Sequence, residues 1–321
     1  MSMTAPKNKS AKALTITYLA TASLASLNGS DSEADNISSI KKIVKGEEQY
    51  PYVSAQALRR ALRDQLGVLG WELSEAVAAT IAKGAATTQQ EPHKYIDDDL
   101  FGFMGTEEAT REAKGRATKR TGPVRVSPLV ALDNYEGDLD FGTNYMAVKA
   151  GGDPNIFETE IHSGLYRGTI LIELDRVGRF DKDQADGKKI PPEVSPEGKA
   201  ERVIGLLTAL KNLWTSARQA RYLADIAPKF VAGALLTAKN PIFLEAVLPT
   251  TTDNLATATN IGINRALLEE TLEDYKPELV EHVFGAKSGV FADVPEGTMT
   301  IGEAFALMCE WVTKHYATEG Q

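Results

Sequence analysis

The chain has 321 residues and a formal net charge of −9, with 43% hydrophobic and 25% charged residues. This composition is typical of a globular protein and excludes a disordered chain, and the length suits one large domain or two. The excess of acidic residues argues against a protein that coats nucleic acid indiscriminately. There is no apolar run of membrane-span length and no signal peptide, and the single cysteine, Cys309, fits a reducing compartment, so we expect a cytoplasmic protein with no membrane partner.

The first part of the chain predicts a long buried strand at 13–27, a polar loop at 28–36 and a strong helix at 50–66. Ser54 stands where an N-cap belongs. Side chains four residues apart share one side of a helix, and the apolar stripe predicted in this way is formed by Leu58, Leu62 and Leu66.

This helix also carries a basic face. Gln56, Arg59 and Arg63 fall on one side, and we expect no acidic residue to neutralise them, whereas Arg60 has Asp64 one turn later. Like-charge repulsion of this kind costs only a few tenths of a kcal/mol, so a surface helix tolerates it. A polyanionic ligand would bind this basic face and supply the missing negative charge.

The next part of the chain predicts a second helix at 67–90, an irregular segment at 91–122 and a strand at 123–134. Pro128 within that strand indicates a sheet edge or a bulge. A long hairpin is predicted at 137–164.

The remainder predicts a strand at 165–178, an amphipathic helix at 195–217 that Ser195 can cap, a strand at 229–237 and, within the acidic segment 262–321, helices at 270–285 and 300–316. The resulting order of strand, helix, strand, strand, helix, strand is that of ferredoxin-like folds and of RNA-recognition modules. Many enzymes share this order, so it does not by itself indicate a function.

Charge is uneven along the chain. Residues 246–321 hold 4 basic and 12 acidic residues, whereas 111–125 holds six basic residues and one acidic residue. Lys119, Arg120 and Arg125 in this basic run are explained equally well as solubilising charge or as part of a polyanion groove.

Motifs for catalysis are missing from the sequence: it has no P-loop, no dinucleotide fingerprint, no nucleophile elbow and no H-E-x-x-H pair. Glu158, Glu160 and His162 would share one face of an extended strand and have the chemistry of a divalent-metal site. A solvated hairpin face is the interpretation we favour for these three residues, and we expect no metal or other cofactor.

Two further acidic groups have the same two interpretations. Asp97, Asp98 and Asp99 lack the spacing of a calcium loop, so a solvated loop is favoured. Asp31 and Asp35 follow the first strand, where they are explained either as turn residues or as metal ligands or acids.

Several segments taken together are similar to one family. The long first strand, NGSDSEADN, YPYVSAQALRRALRDQ, DDDLFGFMG, TKRTGPVRVSPLVAL and ETEIHSGLYRGTILIELDRVGRF occur in that order between about residue 13 and about residue 240. This set resembles the crRNA-binding backbone subunit of type I CRISPR Cascade complexes, in the DevR-like group of subtype I-B.

The resemblance implies an α+β fold shaped like a hand. A modified ferredoxin-like, RNA-recognition (RRM-like) palm would comprise 13–66 and 123–240. A helical fingers insertion would occupy 67–122, and 137–164 would form a β-hairpin thumb. The acidic helical part, 241–321, would pack on the palm.

The resemblance also implies a non-catalytic scaffold whose copies stack in a helical filament along one crRNA, together with other Cascade subunits and with target DNA read through the guide. The residues that would hold the guide are Asn28, Lys41, Lys42, Ser54, Gln56, Arg59, Arg63, Lys119, Arg120, Arg125, Lys149, Arg218 and Arg221. Two alternatives remain. One is a metal-dependent ribonuclease similar to type III backbone subunits, which would use Asp31 or Asp35. The other is a metal-binding enzyme that would use the Glu158, Glu160 and His162 site.

Overall fold

The computed structural model describes residues 10–29, 37–76, 87–106, 117–143, 145–152, 156–181, 190–214, 222–251, 255 and 259–319. The strands are β1 (Ala13–Ala25), β2 (Ile37–Ser38), β3 (Lys42–Lys45), β4 (Glu48–Val53), β5 (Gly102–Thr106), β6 (Ala117–Thr121), β7 (Val124–Val126), β8 (Leu129–Ala131), β9 (Leu139–Thr143), β10 (Ile156–Glu160), β11 (His162–Glu173), β12 (Phe230–Leu236) and β13 (Leu279–Ala286). The helices are α1 (Ala55–Val68), α2 (Ile96–Phe101), α3 (Tyr145–Lys149), α4 (Pro196–Lys211), α5 (Arg265–Asp274) and α6 (Ile301–Ala317).

The main sheet is antiparallel and runs in the order β13-β12-β1-β11-β8-β4-β3, with β7 also pairing with β11. β1 lies at its centre, where Tyr18 is opposite Gly168 of β11 on one side and Val231 of β12 on the other. A Cβ at Gly168 would lie 2.9 Å from the Tyr18 ring, so this crossing needs glycine. The mixed architecture confirms the predicted α+β class.

Both faces of the sheet are covered by apolar side chains. On one face, α1, α4 and α6 pack against alternate residues of the central strands, in a core that includes Leu14, Ile16, Tyr18, Leu62, Leu206 and Met308. On the other face, the chain after β12 forms a second core that includes Leu19, Phe230, Phe243, Ile263 and Leu268. β12 is therefore buried along its whole length, as its continuous apolar sequence requires.

Local signals place the two long helices that follow β4 and β11. Ser54 caps α1 by accepting a hydrogen bond from the Ala57 amide at 3.3 Å. Ser195 caps α4 by accepting from Gly198 N at 3.1 Å, with Pro196 as its first residue. Both caps agree with the sequence prediction.

Four predictions differ from the structure. The segment predicted as irregular at 91–122 contains α2 and the hairpin of β5 and β6. The helix predicted at 67–90 is absent from 71–76, while 77–86 lies outside the described residues. The predicted strand at 123–134 is interrupted between β7 and β8, at Ser127 and Pro128, as the proline suggested. The acidic segment contains β13 where a continuous helix was predicted, because Pro277 follows α5 and the β-branched residues after it pair with β12.

A second, three-stranded sheet has the order β2-β10-β9. β9 and β10 pair antiparallel from Leu139↔Glu160 to Thr143↔Ile156, and α3 lies between them, so the predicted hairpin forms with a helix inserted. We call β9, α3 and β10 the arm. A separate hairpin, β5 with β6, follows α2. Among the described residues, no helix has the length and hydropathy needed to cross a membrane.

Candidate nucleic-acid interface

The loop that follows β1 is bonded to the start of α1 through Asn28. The carbonyl of Asn28 accepts from Lys41 N at 2.9 Å, and its side-chain Oδ1 accepts from Ser54 N at 2.8 Å. One asparagine therefore holds the chain before β3 and the cap of α1 together. Together with Gln56 and Arg59, which lie in the first turns of α1, these residues form what we call the α1 patch: Asn28, Lys41, Ser54, Gln56 and Arg59.

The α1 patch favours an anion electrostatically. The first turn of α1 contains no acidic residue, so the positive end of the helix dipole is not neutralised there. Gln56 is exposed and Arg59 is half-buried. The Nε atom of Arg59 is buried, and no hydrogen-bond partner for it exists among the described residues. Helix N-terminal amides with an adjacent cation form the kind of surface that binds phosphate.

Arg63, one turn after Arg59, is neutralised. Its Nε donates to Asp97 Oδ2 at 2.8 Å, and its Nη2 donates to the Ser74 carbonyl. The expectation that no acidic residue neutralises this helix face is therefore wrong at Arg63, because the chain brings Asp97 back from 34 residues away.

Lys42 lies next to the α1 patch in sequence, but its side chain points to the arm. Its Nζ lies 2.5 Å from Glu160 Oε1 and 4.4 Å from the centre of the Tyr135 ring. The Lys42 side chain is 12% exposed and that of Glu160 is 9% exposed. The ammonium group is thus already fully engaged within the fold.

Arg120 is enclosed by the fold, and its position disagrees with a role in contacting RNA. Its side chain is 1% exposed, pairs with Asp99, and donates to the carbonyls of Arg176 and Arg179. Burial lowers the pKa of Arg120, and the Asp99 carboxylate acts against this by favouring the charged form. The neighbouring Lys119 on β6 is exposed.

Four other basic residues were predicted to contact the guide. Two of them lie among the residues that the structure describes, and two do not. Arg125 on β7 is half exposed and pairs with Glu173 at 2.8 Å. Lys149 is exposed at the end of α3. Arg218 and Arg221 lie outside the described residues.

The sequence predicted a solvated loop at Asp97, Asp98 and Asp99, and this prediction is wrong. All three side chains are buried at the start of α2, because each finds a partner elsewhere in the chain. Asp98 accepts from Glu91 N at 2.9 Å, and Asp99 Oδ2 accepts from Arg202 Nη1 of α4 at 2.6 Å. Burial is the largest influence on Asp98 and raises the pKa of its carboxyl group.

The candidate metal site at Glu158, Glu160 and His162 does not form. Glu160 is engaged by Lys42, and His162 is buried with its Nδ1 2.8 Å from the Tyr166 hydroxyl. Across the part of the chain that the structure describes, no group of three or more histidine, cysteine or acidic side chains is placed to hold a metal ion. The favoured interpretation as a solvated face was also wrong for Glu160 and His162, which are 7% and 5% exposed.

Sequence reasoning missed two residues that order this region. Asp97 fixes Arg63, and Glu160 fixes Lys42. The pattern YPYVSAQALRRALRDQL gives no sign of either partner, because both lie in other segments. The sequence could indicate only that charged side chains are seldom buried without an ionic partner, and it could not indicate which residues pair.

A family model described as CRISPR-associated negative auto-regulator DevR/Csa2 matches residues 16–259. A curated relative, the CRISPR-associated protein Cas7/Cst2/DevR of Myxococcus xanthus (strain DK1622), is 29% identical over an alignment of 227 residues that covers 67% of this chain and 69% of the relative.

Two solved structures share the fold. A chain of a CRISPR RNA-guided surveillance complex aligns with a TM-score of 0.53 at 16% identity, covering 93% of this chain and 99% of its own. A chain of a CRISPR RNA-guided surveillance complex in a pre-nicking state aligns with a TM-score of 0.57 at 13% identity, covering 94% and 99%. The family model spans most of the chain and agrees with the ordered motifs, so this chain belongs to the DevR/Csa2 family of CRISPR-associated proteins.

Proposed function

We propose that this chain binds crRNA as a non-catalytic backbone subunit of a type I CRISPR surveillance complex. Copies of the chain would line up along one guide in a helical filament, beside other Cascade subunits, and the complex would meet target DNA through the guide. The α1 patch carries this proposal, because it combines a helix N-terminus with no acidic residue in its first turn, Lys41 and the half-buried Arg59 guanidinium group.

Contacts of this kind suit a subunit that must accept any guide. Backbone amides, an ammonium group and a guanidinium group bind phosphate oxygens, and such contacts fix register without reading base sequence. The net charge of −9 then limits non-specific binding, since only local surface favours RNA. The single cysteine fits a reducing compartment, and we propose that the complex assembles in the cytoplasm.

The architecture supports the hand-like division implied by the family. We infer an RRM-like palm from the strand order β12-β1-β11-β7/β8 and from α1 and α4, which pack on one face of the sheet. We assign 67–122 to the fingers, the arm to the thumb, and 241–321 to a part that extends the palm through β13 and α6. Lys119, Arg125, Lys149, Arg218 and Arg221 remain proposed secondary contacts to the guide.

The ribonuclease alternative would rest on Asp31 and Asp35, which lie outside the described residues. We retain the non-catalytic proposal because the described acidic clusters are engaged in ion pairs and hydrogen bonds within the fold.

The proposal is tested by co-expressing the chain with its own operon and measuring the ratio of absorbance at 260 and 280 nm across a size-exclusion profile. A large assembly that carries one discrete RNA supports it. A nucleic-acid-free monomer that also fails to bind added RNA at low salt contradicts it. The variant Arg59→Glu in the same operon should recover less RNA, and Arg60→Glu is the matched control that should recover as much as wild type.

A further inference from the structure

Lys41 and Lys42 are adjacent in sequence but make contacts in different places: Lys41 belongs to the α1 patch, and the Lys42 side chain contacts the arm. The Lys41 amide donates to Asn28 O and its carbonyl accepts from Tyr52 N, both at 2.9 Å, so its backbone is fixed within the α1 patch. The next side chain, Lys42, is directed into the ion pair with Glu160 on β10. Successive residues of extended chain point to opposite sides, which explains how neighbouring lysines separate in this way. One peptide bond therefore joins the α1 patch to the arm.

Glu160 attaches this segment to the arm with both carboxylate oxygens. Oε1 accepts from Lys42 Nζ at 2.5 Å, and Oε2 accepts from Ile40 N at 2.8 Å. Strand β2, just before, pairs in parallel with β10 at Ile37↔Glu158 and Ser38↔Thr159. β2, Ile40 and Lys42 are therefore each bonded to β10, and Glu160 is the charged contact at the end of this segment.

The ion pair is enclosed. The Tyr135 ring lies under the ammonium group, and the Tyr135 amide donates to Gln49 O at 2.7 Å on β4. A buried ion pair adds little net stability, but removing one partner leaves an uncompensated charge that the structure must rearrange to hydrate. Loss of Glu160 would therefore displace the segment that connects the arm to the α1 patch.

We propose that Lys42 and Glu160 are positioning residues for guide binding: their ion pair sets the arm relative to the α1 patch, and Lys42 holds no phosphate itself. This inference rests on the proposed RNA-binding function and assigns Lys42 a role different from that of Lys41 and Arg59. It also predicts that an acidic residue promotes binding to a polyanion, which simple charge attraction does not.

The sign of the effect at Glu160 makes the test sharp. If only charge mattered, Glu160→Gln would tighten binding of a short unstructured RNA, since a negative charge is removed. Positioning predicts weaker binding, by roughly fivefold or more, the scale typical of coupling between sites. Glu158→Gln is the matched control, because it removes the same charge from the same strand without touching Lys42. We expect it to bind as the wild type does or slightly more tightly.

Two further measurements separate positioning from direct contact. The charge swap Lys42→Glu/Glu160→Lys should bind RNA more tightly than Lys42→Glu alone, because the ion pair reforms, but less tightly than wild type, because Ile40 N loses its acceptor. Lys42 variants should keep the wild-type dependence of log affinity on log salt, whereas Lys41→Ala should reduce that slope by about one, as the loss of one phosphate contact does.

The inference is overturned if Glu160→Gln binds as tightly as Glu158→Gln, or if Lys42→Met lowers the salt slope as Lys41→Ala does. Thermal unfolding shows whether the swap folds, and where it does not, the Glu160→Gln comparison and the salt slopes decide alone. A wild-type chain that binds no RNA overturns the proposed function instead, so the two failures are distinct.

Discussion

Arg63 on α1 and Asp97 at the start of α2 form an ion pair with 2.8 Å between Nε and Oδ2. The carboxylate is buried, its other oxygen accepts from Ser74 N at 3.0 Å, and the guanidinium also donates to the Ser74 carbonyl. The ion pair therefore joins α1, the chain at Ser74 and the start of α2. Arg59 lies one turn earlier on the same side of the helix, and its Nε has no such partner among the described residues. Arg63 is therefore part of the fold's own contacts, whereas Arg59 is the arginine that we propose for guide binding.

Arg63 should contribute to stability where Arg60 does not. Arg63→Ala leaves Asp97 buried without its cation, and we expect the free energy of unfolding to fall by roughly 2–4 kcal/mol, less than a fully buried pair because the Arg63 side chain is 27% exposed. Arg60→Ala removes an exposed ion pair with Asp64 and should change the free energy of unfolding by less than about 0.5 kcal/mol. Urea unfolding of both variants measures the difference, and equal effects would contradict this account.

Arg120 should behave as part of the core. Its pairing with Asp99, which also binds Arg202, joins β6, α2 and α4. Arg120→Met leaves this network one cation short, and we expect a loss of about 3–5 kcal/mol in the free energy of unfolding. Lys119→Met, next to it on β6 but exposed, is the control and should stay near wild type. A stable Arg120→Met protein with weakened RNA binding would instead indicate a direct contact.

Asp133 should make stability depend on pH. Burial raises its pKa from 3.8 to about 6, so the folded state holds this proton more tightly than the unfolded state. Its contribution to stability is therefore present below about pH 4 and is lost as pH rises to about 6. Burial also lowers the pKa of neighbouring His162, so that imidazole is neutral at pH 7.

Asp133→Asn removes this titration while keeping an acceptor for Leu165 N, which now donates to Asp133 Oδ1 at 3.1 Å. We expect the variant to be more stable than wild type at pH 7 by about 1–3 kcal/mol, and the gain to shrink towards pH 4. Chemical unfolding across this range measures it. A gain independent of pH would show that the effect comes from packing.

The chain should not cleave RNA. Purified protein incubated with labelled RNA and Mg²⁺ should leave the RNA intact, and Asp31→Ala/Asp35→Ala should change nothing in this assay. Metal-dependent cleavage that this double variant abolishes would establish the ribonuclease alternative.

Local patterns predicted the central elements well. The long apolar run gave β1, and the serine caps with their apolar stripes gave α1 and α4, because these signals lie within one segment. β13 was mistaken for a helix because its pattern is ambiguous over eight residues and the deciding factor is pairing with β12. Register between distant strands is a tertiary property that no short window contains.

The candidate site was predictable only in part. Ser54, Gln56 and Arg59 follow from helical geometry, and the structure brings Asn28 and Lys41 to them. Which cations are already paired depends on contacts between distant segments: Lys42 and Glu160 are 118 residues apart. A count of charges in sequence therefore overstates the number of free cations.

The most direct test of the central claim is the affinity of Arg59→Glu for a short unstructured RNA across a salt series. We expect binding roughly tenfold or more weaker than wild type at low salt, on every RNA sequence, with a smaller salt slope. Arg60→Glu reverses the same charge on the next residue of α1, where the side chain is 70% exposed and pairs with Asp64, and it should bind nearly as wild type does. If both variants bind alike, or if Arg59→Glu keeps wild-type affinity and slope, the α1 patch is not where the guide lies.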